Sequence, residues 1–432
     1  MKGNYHVIDS NGKGAERTLA AFCRANGQIL LPLVELVEQA RLALDTVVEQ
    51  VSQQTIETIL PLSAEQIAGP RTPGRRSGEI RWYGNQGGRV SLADRQLSVR
   101  KPRLRRTGKG RGREVGVPAY QALQQNPAMG ARMFAALLRG VSTRQYQQVL
   151  PRMAETVGVS KSSISEKAIE ASTAQLEELL GRRWEQTELV VIYIDGMQFA
   201  THHVISAVGV DVHGAKHVLG IQSGATENTA AVKALLVHLR ERGVSSEKQY
   251  LFVIDGAKAL RAGIQEVFGS HQPVQRCRTH KIRNVLEQLP TEQHAQVRSL
   301  MRAAYKLPKA KEGIAKMEKM AEWLEREYPE AARSLREGLE ETFTINRLDL
   351  PPSLHRCLGT TNLIESPQSG VRKRTGNVCR WREADMVMRW VAGAYLITEK
   401  NFRKIMGHQH LWTLAAVLGR AEKSVTLEEK SA

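Results

Sequence analysis

The chain is short of cysteine and of aromatic residues. Only Cys23, Cys277, Cys357 and Cys379 occur among 432 residues, and they lie far apart. That excludes a disulfide scaffold and predicts a reducing, cytoplasmic setting. Aromatics make up 5% of the residues. A glycosidase working through paired carboxylates needs sugar-stacking rings around its acids, so that class is set aside. No run approaches the ~18 uninterrupted apolar residues of a membrane helix, and no membrane partner is expected. The opening MKGNYHVIDSNGKG has no apolar signal core. Hydrophobic residues at 41% and charged ones at 25% are ordinary usage, which excludes a disordered chain, a collagen and a coiled-coil rod.

Acid is also scarce relative to base. Lysine plus arginine number 62 against 44 acids, a net charge of +18. Such a balance predicts a polyanionic partner, most often nucleic acid. The excess is concentrated. Between Arg71 and Arg113 stand 14 Lys/Arg and two acids, Glu79 and Asp94. A solvated linker is the plain reading of such a run. Phosphate binding is the functional one, through Arg100, Lys101, Arg103, Arg105, Arg106, Lys109, Arg111 and Arg113. The spacing predicts a small β element over Val90, Leu92, Leu97 and Val99, with Gly87-Gly88 preceding it.

Six stretches follow from composition and periodicity. Residues 1–70 form a helical N-terminal region. Within 28–60, Leu33, Val37, Ala40, Leu44, Val47 and Val51 recur at a/d spacing. That serves either packing within the domain or dimerisation. Residues 71–118 are the basic β-containing segment. Residues 119–185 are helical, and Gly140–Arg144 with Val157–Ser165 resemble a helix-turn-helix or form a plain helical hairpin. Residues 186–290 read β-β-β-α-β-α-β-α. Residues 291–355 are a helical insertion, and 356–432 complete the core with C-terminal helices. The predicted class is α/β. Its catalytic core is ribonuclease-H-like with a helical insertion, and a basic helical/β DNA-binding region precedes it.

Two strands end in one pattern, Tyr193-Ile194-Asp195-Gly196 and Val253-Ile254-Asp255-Gly256. The first and fourth strands of this order are neighbours, so Asp195 and Asp255 should meet. Two close carboxylates repel unless a cation is shared, and hard oxygen donors suit Mg²⁺. The alternative is that each aspartate caps the turn after its strand. Beyond the insertion, Glu365 is the best third acid. Arg372 lies two helical turns on, and Arg374, Arg380 and Trp381 follow as phosphate or base contacts. An indole in the core is the equal alternative for Trp381. Asn362-x-x-Glu365 also fits a capping box. Pro367 predicts a helix beginning there, with Ser366 as its cap and Glu365 just outside. Cys277-x-x-His280 is half a zinc site with no matching second pair. It is better read as a structural pair near the acids, with Lys281 and Arg283 facing phosphates.

Together these motifs resemble the DDE transposases of the mutator type found in bacterial insertion sequences. YIDG, VGVDVHG, VLGI, Thr226-Glu227-Asn228, Glu241-Arg242-Gly243, VIDGAKAL, Gln275–Val285 and TTNLIES carry the resemblance. It implies a catalytic, metal-binding triad of Asp195, Asp255 and Glu365, with two Mg²⁺ ions for which Mn²⁺ could substitute. It implies double-stranded DNA partners, the element's terminal inverted repeats and the target. A homodimer or higher oligomer at the nucleoid is expected, cutting strands at element ends and transferring them. The competing readings are a ribonuclease-H-fold nuclease and a transposase-derived DNA-binding protein that no longer cuts.

Overall fold

A computed structural model describes residues 30–71, 79–91, 96–107, 114–124, 128–139, 161–224 and 229–420. Of these described residues, those through Met129 belong to one compact unit and those from Gly130 onward to a second. No helix among the described residues is long and apolar enough to cross a membrane.

The first unit is built on helix α1 (Leu30–Ala68) and an antiparallel sheet of β1 (Ile80–Ser91), β2 (Gln96–Arg106) and β3 (Glu114–Val115). Ile56, Leu60 and Ala64 form one face of α1 and pack with Val90, Leu97, Val99 and Leu104 of the hairpin. Val47 and Val51 are instead exposed, at 54% and 55%. Ala40 of the a/d run is exposed as well, and the packed face of α1 is carried by Ile56, Leu60 and Ala64, beyond that run. Gly87-Gly88 lies inside β1, not before it, and pairs with Arg100 and Val99. At Gly88 a Cβ would strike the Tyr120 ring, which occupies that space.

The second unit holds a five-stranded mixed sheet. Strands β4 (Leu189–Phe199), β5 (His202–Asp211) and β6 (Lys216–Gly224) are antiparallel, and β7 (Leu251–Ile254) and β8 (Val274–Arg276) run parallel to β4. The spatial order is β6-β5-β4-β7-β8. Leu189–Ile194 is fully apolar because β4 is covered on both faces. One face packs on α5 (Thr229–Glu241) and α6 (Lys258–Phe268). Toward the other lie α3 (Ala128–Leu137), α4 (Lys161–Gly181) and further C-terminal helices. Helix α2 (Pro118–Gln124) belongs to the first unit. The proposed helix-turn-helix lies outside the described residues except for Lys161–Ser165, which begins α4.

After β8 come α7 (Arg278–Leu286) and the helical insertion, α8 (Thr291–Tyr305), α9 (Ala310–Glu325), α10 (Pro329–Arg336), a 3₁₀ turn at Glu340–Phe343 and α11 (Thr344–Arg347). Met301, Met317, Leu324, Leu335 and Phe343 give it its own core. Helices α12 (Pro352–Leu358), α13 (Asn362–Thr375), α14 (Ala384–Glu399) and α15 (Leu411–Val417) return to the sheet. Lys281 corrects one expectation. It is buried, and its ammonium donates to the carbonyls of Ser334 and Glu337 at the end of α10, not to phosphates. Burial draws its pKa down to about 8, with Arg276 adding to the shift against Glu337 and Glu341.

Candidate active site

Asp195 does not end its strand. Strand β4 runs four residues further, to Phe199, and stays paired with β5 throughout. Its pairing with β7 stops earlier, at Tyr193↔Val253. Beyond that point β4 keeps one strand neighbour among the described residues. Asp195 and Asp255 stand two residues past the last pair, in matching register. Parallel strands lie ~4.8 Å apart, so the two positions adjoin at the carboxyl end of the parallel pair, the place where open α/β sheets commonly bind ligands in a cleft. Asp195 is buried at 8% exposure and Asp255 is half-buried. Asp255 also caps its turn, because Oδ1 accepts from the Ala257 N–H at 2.8 Å. Gly256 has φ +110°, and a Cβ there would collide with the Arg276 guanidinium.

Glu365 lies in the first turn of α13, inside the helix. Neither sequence reading of this helix start holds. The cap is Thr361, not Asn362 or Ser366, and Pro367 is the sixth helical residue. Pro367 has no N–H to give the Leu363 carbonyl, so that rung of the helix is missing. The Thr361 hydroxyl donates to Glu365 Oε1 at 2.7 Å instead of capping a backbone N–H.

Two tethers connect this glutamate to the aspartate strands. On one side, the Cys277 N–H donates to Ile254 O next to Asp255, and Cys277 Sγ accepts from the Thr361 N–H at 3.3 Å. On the other, Gln368, one turn after Glu365, donates to Ser206 Oγ at 3.3 Å. Ser206 pairs with Asp195 across β4–β5 and donates to its carbonyl. Tyr395 donates to the same Ser206 oxygen at 2.9 Å. Burial raises the Tyr395 phenol well above its ordinary value; Ser206 opposes this, Asp195 adds to it and Arg372 opposes it. Arg372 and Asp195 therefore act on one buried ring.

The Cys277–His280 pair sits against the glutamate. His280 Nδ1 lies 3.2 Å from the Thr361 hydroxyl, and Nε2 is 3.9 Å from Glu365 Oε1. Its hydrogen bond to Cys277 raises the imidazole to about 9 against burial, and the charges of Cys277, Glu365 and Asp255 add to the rise. Burial pushes the Cys277 thiol up, but hydrogen bonds from His280 and Thr361 together hold it below its usual value. Among the described residues, no three or more His, Cys, Asp or Glu stand close enough together to hold a metal ion. Asp195, Asp255 and Glu365 each carry the hard carboxylate oxygens that Mg²⁺ takes.

The remaining predicted contacts fall in separate places. In the first unit, Arg103 and Arg105 pair with Glu114, and Arg106 with Glu79 at 3.4 Å. Lys101 lies over the Tyr120 ring, and the Arg100 backbone N–H donates to Glu57. Exposed pairs of this kind are weak, so a phosphate could displace the carboxylates at small cost. Lys109, Arg111 and Arg113 lie outside the described residues. In the second unit, Arg372 and Arg380 are exposed, while the Arg374 Nε is buried without a hydrogen bond among the described residues. Trp381 is half-buried and packs edge-on against Phe199 and Trp390, at 5.4 and 6.2 Å between ring centres, beside the core cluster. Thr361, Ser206, Gln368 and Tyr395 escaped the sequence reading. Only Thr361 carried a signal, a hydroxyl one helical turn before an acid.

Residues 33–404 match the family described as Transposase, Mutator family. The chain is 26% identical over 372 residues to the transposase for insertion sequence element ISRM5 of Rhizobium meliloti (strain 1021), covering 82% of this chain and 87% of that one. It is 27% identical over 308 residues to the transposase for IS1081 of Mycobacterium tuberculosis, covering 68% and 70%. With the transposase for IS905 of Lactococcus lactis it shares 22% over 380 residues, covering 86% and 91%.

Proposed function

This chain belongs to the Mutator family of transposases of bacterial insertion sequences, and from that premise we propose that it cuts and joins DNA strands at a ribonuclease-H-like site formed by Asp195, Asp255 and Glu365. The observation that carries the reading is the matched register of Asp195 and Asp255 at the carboxyl end where β4 and β7 part, with Glu365 tethered to both strands. The five-strand order, antiparallel then parallel, supports the fold assignment. Asp195, Asp255 and Glu365 would hold Mg²⁺, or Mn²⁺ in its place, which stabilises the attacking and leaving oxygens of an in-line phosphodiester displacement.

The protein's own groups have separable tasks. Thr361 fixes the rotamer of Glu365, and Cys277 and His280 fix Thr361. Arg372 sets positive charge on the glutamate's helix face, where a phosphate would approach. Water, or a DNA 3′-hydroxyl, is the nucleophile, and each reaction exchanges one phosphodiester for hydrolysis or another ester. The partners are the element's terminal repeats and target DNA. Val47, Val48 and Val51, exposed on α1, favour association with a second copy.

The test is strand cleavage and joining on duplexes carrying the DNA that flanks the gene, in Mg²⁺ and in EDTA. Asp195→Asn, Asp255→Asn and Glu365→Gln should each abolish both reactions while DNA binding persists. Binding without cleavage by the wild type would move the silent DNA-binding reading ahead.

A further inference from the structure

Helices α7 and α8 follow one another and are in contact, and a groove of about 340 Å³ lies along them. Thr279 and Arg283 line it from α7, Glu287 from the cap that ends α7, and His294, Arg298 and Arg302 from α8. The three arginines are exposed, and their side chains make no hydrogen bond or ion pair among the described residues. Elsewhere in the insertion Arg333, Arg336 and Arg347 are held by glutamates. Only one carboxylate, Glu287, faces the three guanidinium groups in the groove, and His294 is turned to the Leu289 carbonyl. The groove is a concentrated positive track with no internal counter-charge to match it.

Its position gives the track a direction. Thr279 precedes His280, whose ring stands 3.9 Å from Glu365 Oε1. One end of the groove therefore adjoins the acid site. From Thr279 to Glu287 the helix advances about 12 Å, at ~1.5 Å per residue. That is about three nucleotides of a duplex strand at ~3.4 Å each. Guanidinium forks suit phosphate oxygens, and no Phe, Tyr or Trp lines the groove for a base to stack upon.

We propose that the α7–α8 groove is a phosphodiester track, in which Arg283, Arg298 and Arg302 hold the backbone of the DNA strand for about three nucleotides beyond the bond at the acid site. The direction of the track rests on the site proposed above; the charge of the groove does not. Backbone contacts carry no sequence information, so the track would serve element ends and target DNA alike.

The test is the salt dependence of DNA binding by the full chain, measured by fluorescence anisotropy in EDTA. The probes are a duplex of the DNA flanking the gene and a random-sequence duplex. Each lost phosphate contact lowers the slope of log K against log salt by about one. R298Q/R302Q should lower it by about two on both probes, with wild-type melting. K316Q/K319Q, an equal charge change elsewhere in the insertion, should leave it unchanged. An unaltered slope for R298Q/R302Q, an equal drop for K316Q/K319Q, or a drop on the flanking duplex alone would each overturn the track. Should R298Q/R302Q fail to fold, uncharged methylphosphonate linkages test the wild type directly. Within about three positions on one side of the cleaved bond they should weaken binding, and no effect there overturns the path. If the wild type never cuts, the proposed activity fails while the slope still judges the groove.

Discussion

The Thr361 hydroxyl is the sharpest place to perturb the acid site without touching an acid. It has one proton to give, and its shortest contact is to Glu365 Oε1 at 2.7 Å. The neighbouring His280 Nδ1, at 3.2 Å, then acts as donor to the Thr361 hydroxyl oxygen. Thr361→Val keeps the shape and removes the donor. A hydrogen bond to a charged group contributes about 1.5–3 kcal/mol. If that energy serves to hold Glu365 in its working rotamer, the rate of strand nicking falls by about 10- to 150-fold at fixed Mg²⁺. The assay is single-turnover nicking of an end-bearing duplex across a Mg²⁺ series. The variant should also need more Mg²⁺ for half-maximal rate, which a loss of general stability would not cause. Thr361→Ser restores the hydroxyl and should recover most of the rate. A Val variant that nicks within about threefold of wild type, with an unshifted Mg²⁺ requirement, would refute the positioning role.

Three further outcomes follow from the same contacts. Gly256→Ala forces a Cβ into the Arg276 guanidinium at a backbone φ of +110°, so it should cost more than ~1–3 kcal/mol and lower the melting temperature. A melting curve matching wild type would contradict it. Lys281 is held at a pKa of about 8, so between pH 8 and its ordinary range near 10.5 the unfolded chain binds more protons than the folded one. Its contribution therefore becomes more favourable as pH rises through that window, by about 3 kcal/mol in all. Urea unfolding of Lys281→Met should lack this rise, and an unchanged pH slope would count against it. Val47→Glu with Val51→Glu should shift the chain to a smaller species in sedimentation, if these exposed valines meet a second copy; an unaltered distribution would remove them from the interface.

Much of the sheet was legible because its chemistry is local. Leu189–Ile194 and Leu251–Ile254 are apolar runs that only a doubly covered strand uses, and both lead into Asp-Gly. Strand order followed from element order. What local pattern could not give was where β4 and β7 separate. The expected strand ends at Asp195, yet β5 pairs with the next four residues, to Phe199. The glutamate's helix start was misread because Pro367 usually opens a helix. Here its ring is buried inside α13, and tertiary packing outweighs the lost hydrogen bond. Lys281 read as surface because it stands in a basic run, and its burial exists only once the insertion folds over α7. The link of Cys277 and His280 to Glu365 through Thr361 needed three dimensions.

The central claim is that three carboxylates on two strands and one helix act as one site. The most direct measurement is Mg²⁺-dependent nicking of an end-bearing duplex by wild type and by Asp195→Asn, Asp255→Asn and Glu365→Gln, with DNA affinity measured alongside. Wild type alone should nick, and all four proteins should bind the duplex with similar affinity. Nicking that survives in Glu365→Gln would place the third ligand elsewhere and contradict the tethering of α13 to the aspartate strands as the basis of the site.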